Sequence, residues 1–273
     1  MEKTTYIIPV HEYNETVEAY LDRALKSLTP FKGKDGSKLI FVGPADITAK
    51  CLERAKKVKL TLECDTMETD EKDLFAKLNL AVNSCVTPYF SILEFDDEYL
   101  PYWDEIAQNT IKNNPDYSVI LPIIELESGT EEKKKYGLLN EIAWDASFAD
   151  TLGHLGIEEL QIFKDFNVTG AYIKTEDFIT AGGLKPSMKI AAWYELLLRM
   201  IDKGYTIFVA PRVGYRHTVK REGSYMMEMG KMIKQEEGMW LIEYALRDYK
   251  NKQDAGEIYK EPENKDTDKT NGE

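Results

Sequence analysis

The sequence contains little of what marks several common protein classes. Only three cysteines occur in 273 residues, Cys51, Cys64 and Cys85, and their spacing matches no metal-binding motif. We interpret them as buried free thiols, which are typical of a reducing compartment. No apolar run approaches the length of a transmembrane helix, and Met1-Glu2-Lys3 leads into a β-prone segment without a signal peptide. We therefore expect a cytoplasmic protein with no membrane span.

Basic residues are fewer than acidic residues. The formal net charge is −13 at pH 7, from 35 basic and 48 acidic residues. This balance argues against a protein whose affinity for nucleic acid rests on phosphate contacts. It also argues against docking on an anionic membrane, because like charges repel.

The first part of the chain alternates between β-prone and helical segments. Strands are predicted at residues 4–10, 38–42 and 58–64, with amphipathic helices between and after them. Such alternation predicts a parallel sheet with helices on both faces. The fold class is therefore α/β.

The stretch at residues 89–101 is the most informative. Its first half is apolar and β-prone, which predicts a buried strand. Glu94, Asp96, Asp97 and Glu98 then fall within five positions, and strand alternation places Glu94 and Asp96 on one face. Ligands of open α/β sheets bind at the carboxyl ends of strands. The cluster indicates either a divalent metal that carries phosphates or a solvated acidic turn.

The regular alternation weakens in the second half. We expect a strand at 118–124, a charged loop or insertion at 125–140 and mostly helix at 142–166, interrupted by Gly153 and Gly156. A strand at 168–174, a long helix at 187–201 and a last strand at 206–210 follow. A C-terminal helix is predicted at 226–250. The charged segment 251–273 lacks periodic apolar residues and is predicted to be a disordered tail.

Four landmarks in order carry a family resemblance. They are Tyr6-Ile7-Ile8-Pro9-Val10-His11, Lys77-Leu78-Asn79, the stretch from Leu93 to Pro101, and a last group from Gly170 to Tyr215-Arg216-His217. Together they resemble the family-two inverting glycosyltransferases with the nucleotide-sugar-binding GT-A fold, over residues 4–225. The resemblance implies a GT-A domain at 1–225 with a mostly parallel central sheet and helices on both faces. Residues 1–101 would bind the nucleotide sugar, and residues 102–225 would face the acceptor.

The resemblance also implies a reaction. A sugar, hexosyl or pentosyl, would pass with inversion from a nucleotide-diphosphate sugar to an acceptor hydroxyl, with Mn²⁺ or Mg²⁺ stabilising the leaving diphosphate. A UDP-sugar is the first expectation for the donor. Relatives often place an Asp at the end of the second strand to bind uracil, and Gly43-Pro44 stands there instead, so the base stays open. The acceptor is unknown.

Site residues follow from the resemblance position by position. Pro9, Val10 and His11 match the loop that holds the base, and Lys77 and Asn79 match helix positions that reach the base and diphosphate. Glu94-Phe95-Asp96 matches the Asp-x-Asp motif, with Glu94 at the ribose or metal shell and Asp96 on the metal. His217 is expected as a second metal ligand. Basic residues are concentrated near His217 in this acidic chain and are expected to bind the diphosphate: Arg212, Arg216, Lys220 and Arg221.

The general base is less well defined. Many relatives place the catalytic Asp at the position of Trp193, and Glu195 is the nearest carboxylate. Glu195 is the predicted base, although its spacing to Arg199 also fits a simple helix ion pair. Asp165 and Asp177 are the alternatives, or the base is absent.

Two other functions stay open. A nucleotidyltransferase would share the sheet and the acidic metal site, but it usually has a glycine-rich phosphate loop near the N-terminus, and this sequence has none. A non-catalytic nucleotide-sugar-binding protein is compatible with Trp193 at the base position.

Overall fold

The computed structural model describes residues 2–31, 36–130, 133–149, 151–219, 221 and 223–258. The strands in these residues are β1 (Thr4–Pro9), β2 (Lys38–Gly43), β3 (Glu63–Glu68), β4 (Tyr89–Ile92), β5 (Glu98–Tyr99), β6 (Tyr117–Thr130), β7 (Lys133–Leu139), β8 (Tyr172–Lys174) and β9 (Thr206–Thr218). The α-helices are α1 (Glu15–Leu28), α2 (Ala45–Val58), α3 (Leu74–Asn83), α4 (Trp103–Asn113), α5 (Ile157–Ile162), α6 (Thr175–Ala181), α7 (Ala192–Asp202), α8 (Tyr225–Met232) and α9 (Gln235–Ile258). None of these helices combines the length and the apolar composition that crossing a membrane requires.

The described strands form one mixed sheet in the order β3-β2-β1-β4-β8-β6-β9-β5, with β7 paired to β6. Strands β1 to β4, β6 and β9 run in one direction, while β5, β7 and β8 run against them. The predicted α/β fold with a mostly parallel central sheet is confirmed. The carboxyl ends of β1, β4 and β9 come to the same edge, where ligands of such sheets bind.

Apolar side chains cover both faces of the sheet. Alternation along β1 sends Ile7 to one face, under α3, α6, α7 and α9, and sends Tyr6 and Ile8 to the other, under α1, α2 and α4. Both clusters consist of fully or nearly fully buried side chains, so each face is closed to water. Helices on both faces were predicted, and the structure has them.

The charged segment 125–140 is a β-hairpin rather than the predicted loop or insertion. Strand β6 continues to Thr130 and pairs antiparallel with β7, from Ile124 opposite Leu139 onward. Strand β7 lies at the margin of the sheet with exposed side chains, so charge does not exclude a strand there. Strand β9 likewise extends beyond the predicted residues 206–210, because β6 continues to pair with it as far as Thr218.

Three helix predictions were too long or continuous. Within 142–166 the described residues contain a 3₁₀ helix at Glu141–Trp144 and the short α5, so less of the segment is helical than predicted. The predicted interruptions are present, because Gly153 lies between the two helices with a φ of +79° and Gly156 directly precedes α5. The expected helix at 187–201 is divided into a 3₁₀ helix and α7, because Lys189 has a φ of 47°. The predicted C-terminal helix is two helices, and α9 extends to Ile258, into the predicted disordered tail. Residues 259–273 of that tail lie outside the described residues.

Candidate functional site

The site is built where β4, β5 and β9 meet. Strand β4 ends at Ile92, and the chain turns, with the Asp97 N–H donating to the Glu94 carbonyl at 3.1 Å. Strand β5 then pairs antiparallel with β9, which sets Glu98 opposite Arg216. We call residues 94–97 the acidic turn. The β5–β9 pairing brings the end of β9, including His217, beside this turn.

Three ligand-type side chains meet here. Ligand atoms of Glu94, Asp97 and His217 all lie within 4.8 Å of one another. The Asp97 carboxylate is fully buried; it accepts a hydrogen bond from His217 Nδ1 at 2.8 Å and one from the Thr218 N–H at 2.8 Å. Two carboxylates and one imidazole form a donor set that suits Mn²⁺ well. We call these three side chains the acidic cluster.

The electrostatics of the acidic cluster favour a cation. Burial, with the nearby charge of Asp97 added, raises the pKa of Glu94 to about 8. Burial also raises the pKa of Asp97, although His217 opposes that shift. Burial alone would lower the pKa of His217, but the charge of Asp97 and the hydrogen bond to it raise the pKa to about 9. Without a cation the cluster therefore holds protons, and a divalent ion would favour their release.

The sequence predicted Asp96 as the metal ligand, but Asp97 is the residue that lies beside His217. The carboxylate beside His217 is that of Asp97, whereas the Asp96 carboxylate accepts a 2.5 Å hydrogen bond from Arg221 Nε. Strand alternation predicted Asp96 at the cluster, but β4 has ended at Ile92 and the turn no longer alternates. Asp96 does line the same cleft as Glu94, as predicted.

A cleft of about 430 Å³ opens over the acidic cluster. The segment 164–169, Trp193 and Tyr194 also line it. This segment is held by the buried Asn140, whose Nδ2 donates to the Asn167 carbonyl at 2.9 Å and whose Oδ1 accepts from the Asn167 N–H at 3.0 Å. Asp165, in this segment, is exposed. The cleft therefore contains an exposed carboxylate, that of Asp165, in addition to those of Glu94 and Asp96.

Gly170 closes the segment 164–169 against the acidic turn. Its φ is +73°, and a Cβ there would lie 2.3 Å from Tyr215 Cδ2. Only glycine fits this contact without displacement. Tyr215 Oη in turn accepts a hydrogen bond from the Glu94 N–H at 3.1 Å. The close approach thus fixes the first residue of the acidic turn.

The residues predicted for the base-binding loop are partly in place. Pro9 and His11 line a small hollow beside Asp96 and Arg221, and the His11 ring lies 5.5 Å from that of Phe95. Val10 is different, because its side chain is fully buried. Its carbonyl accepts a 3.3 Å hydrogen bond from the Lys77 ammonium group.

Lys77 and Asn79 support loops in the structure. Lys77 is 3% exposed, and burial lowers the pKa of its ammonium group. Asn79 Nδ2 donates to the Leu184 carbonyl and its Oδ1 accepts from the Leu184 N–H, each at 2.8 Å. Lys77 therefore holds the end of β1, and Asn79 holds the loop before the 3₁₀ helix at Pro186–Ala191. Neither side chain lines the described cleft.

Arg216 lies on the other side of β9 from His217, as alternation along a strand requires. Its Nη1 donates to Glu98 at 2.6 Å and its Nε to Glu125 at 2.5 Å, away from the cleft. Arg221 instead lines the small hollow beside the cleft, where it bridges Asp96 and Glu12 and lies 4.7 Å above the Phe95 ring. Among the described residues, the cation that lines the cleft itself is Lys164. Of the other basic residues that the sequence concentrates near His217, Lys220 lies outside the described residues.

Glu195 does not face the cleft. It is 2% exposed and accepts hydrogen bonds from Arg199 at 2.7 Å, Lys185 at 2.6 Å and Tyr249 at 2.7 Å. Burial alone would raise the pKa of Glu195, but these hydrogen bonds lower it below its ordinary value. Its role here is the helix ion pair that the spacing to Arg199 also allowed. Tyr249 comes from α9, which packs on α7.

The two alternative bases are at opposite edges. Asp177 is in α6. Burial raises the pKa of Tyr89, at the start of β4, and the nearby charges of Glu2 and Asp177 raise it further. Asp177 is therefore far from the carboxyl end of β4. Asp165 lines the cleft, together with Trp193. Among the three carboxylates considered from the sequence, Asp165 is the one that the structure places in the cleft.

Known proteins give the fold an independent comparison. No protein-family model and no curated protein matches the chain. The structure of S. aureus TarS 1–349 in complex with UDP-GlcNAc matches with a TM-score of 0.62 at 17% identity, covering 82% of this chain and 60% of that one. The complex of the same protein with UDP matches with a TM-score of 0.61 at 17% identity, covering 89% and 65%. The chain thus spans less than two thirds of these TarS structures.

A second protein gives the same result. The mannosyltransferase PcManGT from Pyrobaculum calidifontis, in complex with GDP-Man and Mn²⁺, matches with a TM-score of 0.58 at 14% identity, covering 96% of this chain and 76% of that one. At such low identity the likeness concerns the fold alone. The resemblance predicted from the sequence is thereby confirmed: the chain has the GT-A glycosyltransferase fold.

Proposed function

We propose that this protein is a metal-dependent glycosyltransferase that moves a sugar from a nucleotide-diphosphate sugar to an acceptor hydroxyl with inversion. The observation that carries the proposal is the acidic cluster of Glu94, Asp97 and His217 in a cleft at the carboxyl edge of a GT-A sheet. Both carboxyl groups have raised pKa values, so the cluster is electrostatically incomplete without a cation. Mn²⁺ fits the mixed oxygen and nitrogen donors, and Mg²⁺ is the alternative.

The structural neighbours support a nucleotide-sugar donor. They were solved with UDP-GlcNAc, with UDP, and with GDP-Man and Mn²⁺. These ligands share a nucleoside diphosphate and differ in base and sugar. We keep a UDP-sugar as the first donor to test and leave the transferred sugar, hexosyl or pentosyl, to the experiment. The cytoplasmic location stays a prediction.

Different described residues would bind the metal ion, the diphosphate and the base. A bound divalent ion would supply Lewis-acid stabilisation of the leaving diphosphate, held by Glu94, Asp97 and His217. Arg221 contributes a guanidinium at the same end, where it can exchange its contact with Asp96 for a phosphate oxygen. The hollow at Pro9 and His11 adjoins this end and is the proposed place for the base.

Asp165 is the proposed general base, in place of Glu195. It lines the same cleft as Glu94 and His217, and as the base it would take the proton of an acceptor hydroxyl that approaches the sugar from the face away from the diphosphate. Its exposed side chain can take up a proton and pass it to water. Trp193, which lines the same cleft, is half-buried and presents an aromatic side chain to the acceptor.

The proposal is tested by donor hydrolysis. UDP- and GDP-sugars are incubated with the protein and Mn²⁺, with EDTA as the control, and nucleoside diphosphate release is measured. Release that requires the metal supports the proposal. A protein that binds donor but releases no diphosphate with any acceptor offered is a binding protein, which Trp193 at the usual base position favours. Release of pyrophosphate from a nucleoside triphosphate would indicate a nucleotidyltransferase instead.

A further inference from the structure

Arg23 holds the acidic turn from outside the cleft. This residue lies on α1, and its Nη2 donates to the Asp96 carbonyl at 2.6 Å and to Thr218 Oγ1 at 2.6 Å. Thr218 Oγ1 also donates to the same Asp96 carbonyl at 2.8 Å. One guanidinium nitrogen, one hydroxyl and one carbonyl thus form a closed triangle that joins α1, the acidic turn and β9. We call it the Arg23 triangle.

The Arg23 triangle is bonded directly to the acidic cluster. The Thr218 N–H donates to Asp97 Oδ1 at 2.8 Å, and Thr218 follows His217 in β9. Asp96 similarly precedes Asp97 in the turn. The two corners of the triangle are therefore covalent neighbours of two members of the cluster. A change in their separation must change the distance between Asp97 and His217, and metal affinity depends on such distances to a few tenths of an ångström.

Among the described residues, the conformation of Arg23 leaves a buried N–H donor unsatisfied, which is unfavourable. Its Nε is buried with no hydrogen-bond partner in the described part of the chain. Its Nη1 reaches only a 3.4 Å contact with Glu127. An arginine that served surface charge alone would keep these nitrogens in water, since an unsatisfied buried donor is unfavourable. The two 2.6 Å hydrogen bonds that Nη2 donates are the favourable contacts of this conformation.

We propose that Arg23 is a positioning residue for the cation site: it fixes the acidic turn against β9 so that Asp97 and His217 stand at ligand distance. The inference rests on the proposed metal-dependent function. It assigns no contact with substrate or cation to Arg23. Its guanidinium acts only through the Asp96 carbonyl and the Thr218 hydroxyl, from the α1 side of the turn.

Arg54 provides a matched control. It lies on α2, its side chain is 22% exposed against 26% for Arg23, and it binds Asp22 and Glu18 on α1. Both arginines thus tie α1 to a neighbouring element, but Arg54 has no contact with the acidic turn. Arg23→Met and Arg54→Met remove the same charge and keep a similar stem. A general loosening of α1 would affect both variants alike.

The test is a calorimetric titration of the full chain with Mn²⁺ alone, without donor. We expect Arg23→Met to bind Mn²⁺ about 10- to 100-fold more weakly than wild type, the usual range for residues that support metal ligands. Arg54→Met should stay within about twofold of wild type. Thr218→Val removes the hydroxyl but keeps the N–H that binds Asp97, and it should weaken binding in the same direction. Arg23→Lys should recover part of the affinity, because an ammonium can still donate to the carbonyl.

The outcomes separate this inference from the proposed function. If wild type binds Mn²⁺, Asp97→Asn does not, and Arg23→Met binds as wild type does, the positioning role is wrong and the metal site stands. If wild type binds no Mn²⁺, both are wrong. Should Arg23→Met fail to fold, Thr218→Val and Arg23→Lys decide, because each leaves α1 intact; unchanged affinity in both overturns the inference.

Discussion

His217 and Asp97 are 120 residues apart in sequence and are joined by a 2.8 Å hydrogen bond between Nδ1 and Oδ2. The bond exists because β5, two residues long, pairs with β9 immediately after the acidic turn. Asp97 is fully buried at this junction. A short antiparallel pairing thus gives a parallel α/β sheet a carboxylate–imidazole pair at its carboxyl edge, next to Glu94.

Asp97→Asn should abolish cation binding without unfolding the protein. The amide keeps the shape of the carboxyl group but is a far weaker ligand, so we expect Mn²⁺ affinity to fall by about 100-fold or more. Because burial raises the pKa of Asp97, the folded state disfavours its charged form, and the neutral side chain should leave the melting temperature in EDTA near that of wild type. Calorimetry with Mn²⁺ and thermal melting check the two parts. Wild-type affinity in the variant would show that Asp97 is not a ligand.

Mn²⁺ affinity should rise with pH between about 6 and 9. The Glu94 carboxyl has a pKa raised to about 8 and His217 one raised to about 9, and both must lose protons to act as ligands. In the metal-free protein the same raised pKa of Glu94 means that its stabilising contribution, complete below pH 4.5, is lost as the pH rises through about 8. Added Mn²⁺ should therefore raise the melting temperature more at pH 8.5 than at pH 6. An effect of equal size at both values would contradict the cluster.

Much of the fold was predictable because each element carries its own pattern. The alternating segments of the first hundred residues, and the buried strand that ends in carboxylates, follow from local periodicity. Glu94 and His217 were both predicted at the site, and the structure brings them together. Asp97 was overlooked although it belongs to the same acidic run, because alternation was extended past the end of β4 at Ile92. The acidic run was the only sequence signal for it.

Other misplacements have different physical origins. Alternation along a strand could have separated Arg216 from His217, since adjacent strand residues face opposite sides. The burial of Glu195 could not be foreseen, because Tyr249 reaches it from α9, 54 residues later. The α7–α9 packing is likewise a contact between distant segments. Such contacts leave no local periodicity in the sequence.

Arg221→Gln should weaken binding of the nucleoside diphosphate by about tenfold while leaving Mn²⁺ binding no weaker. The guanidinium donates a hydrogen bond to Asp96, which lines the cleft, and it would form charge-assisted hydrogen bonds to phosphate oxygens. Arg216→Gln is the matched control from the same β9 region, since Arg216 pairs with Glu98 and Glu125 outside the cleft. UDP is titrated with Mn²⁺ present. Equal losses in the two variants would mean that the charge acts only at long range.

Glu195→Gln should reduce stability rather than turnover. Arg199 is 7% exposed, and removing the charge of its buried partner leaves the guanidinium uncompensated. Breaking such a pair costs about 3–5 kcal/mol. Chemical denaturation measures the loss, and donor affinity and turnover at low temperature measure function in the molecules that stay folded. Normal stability with crippled turnover would restore Glu195 as the base.

Asp165→Asn should show the opposite pattern. Asp165 is exposed and lines the cleft in the segment that Asn140 holds, so the substitution removes a proton acceptor and little packing. We expect turnover to fall by about 10²–10⁴-fold, the usual loss for a general base. The melting temperature and the affinity for donor with Mn²⁺ should stay at wild-type values. Asp177→Asn, in α6 at the other edge of the sheet, is the control and should retain full turnover. If Asp165→Asn keeps most of its transfer rate while its donor affinity is intact, the acceptor must lose its proton to another group, and Asp165 is a surface carboxylate that merely borders the cleft.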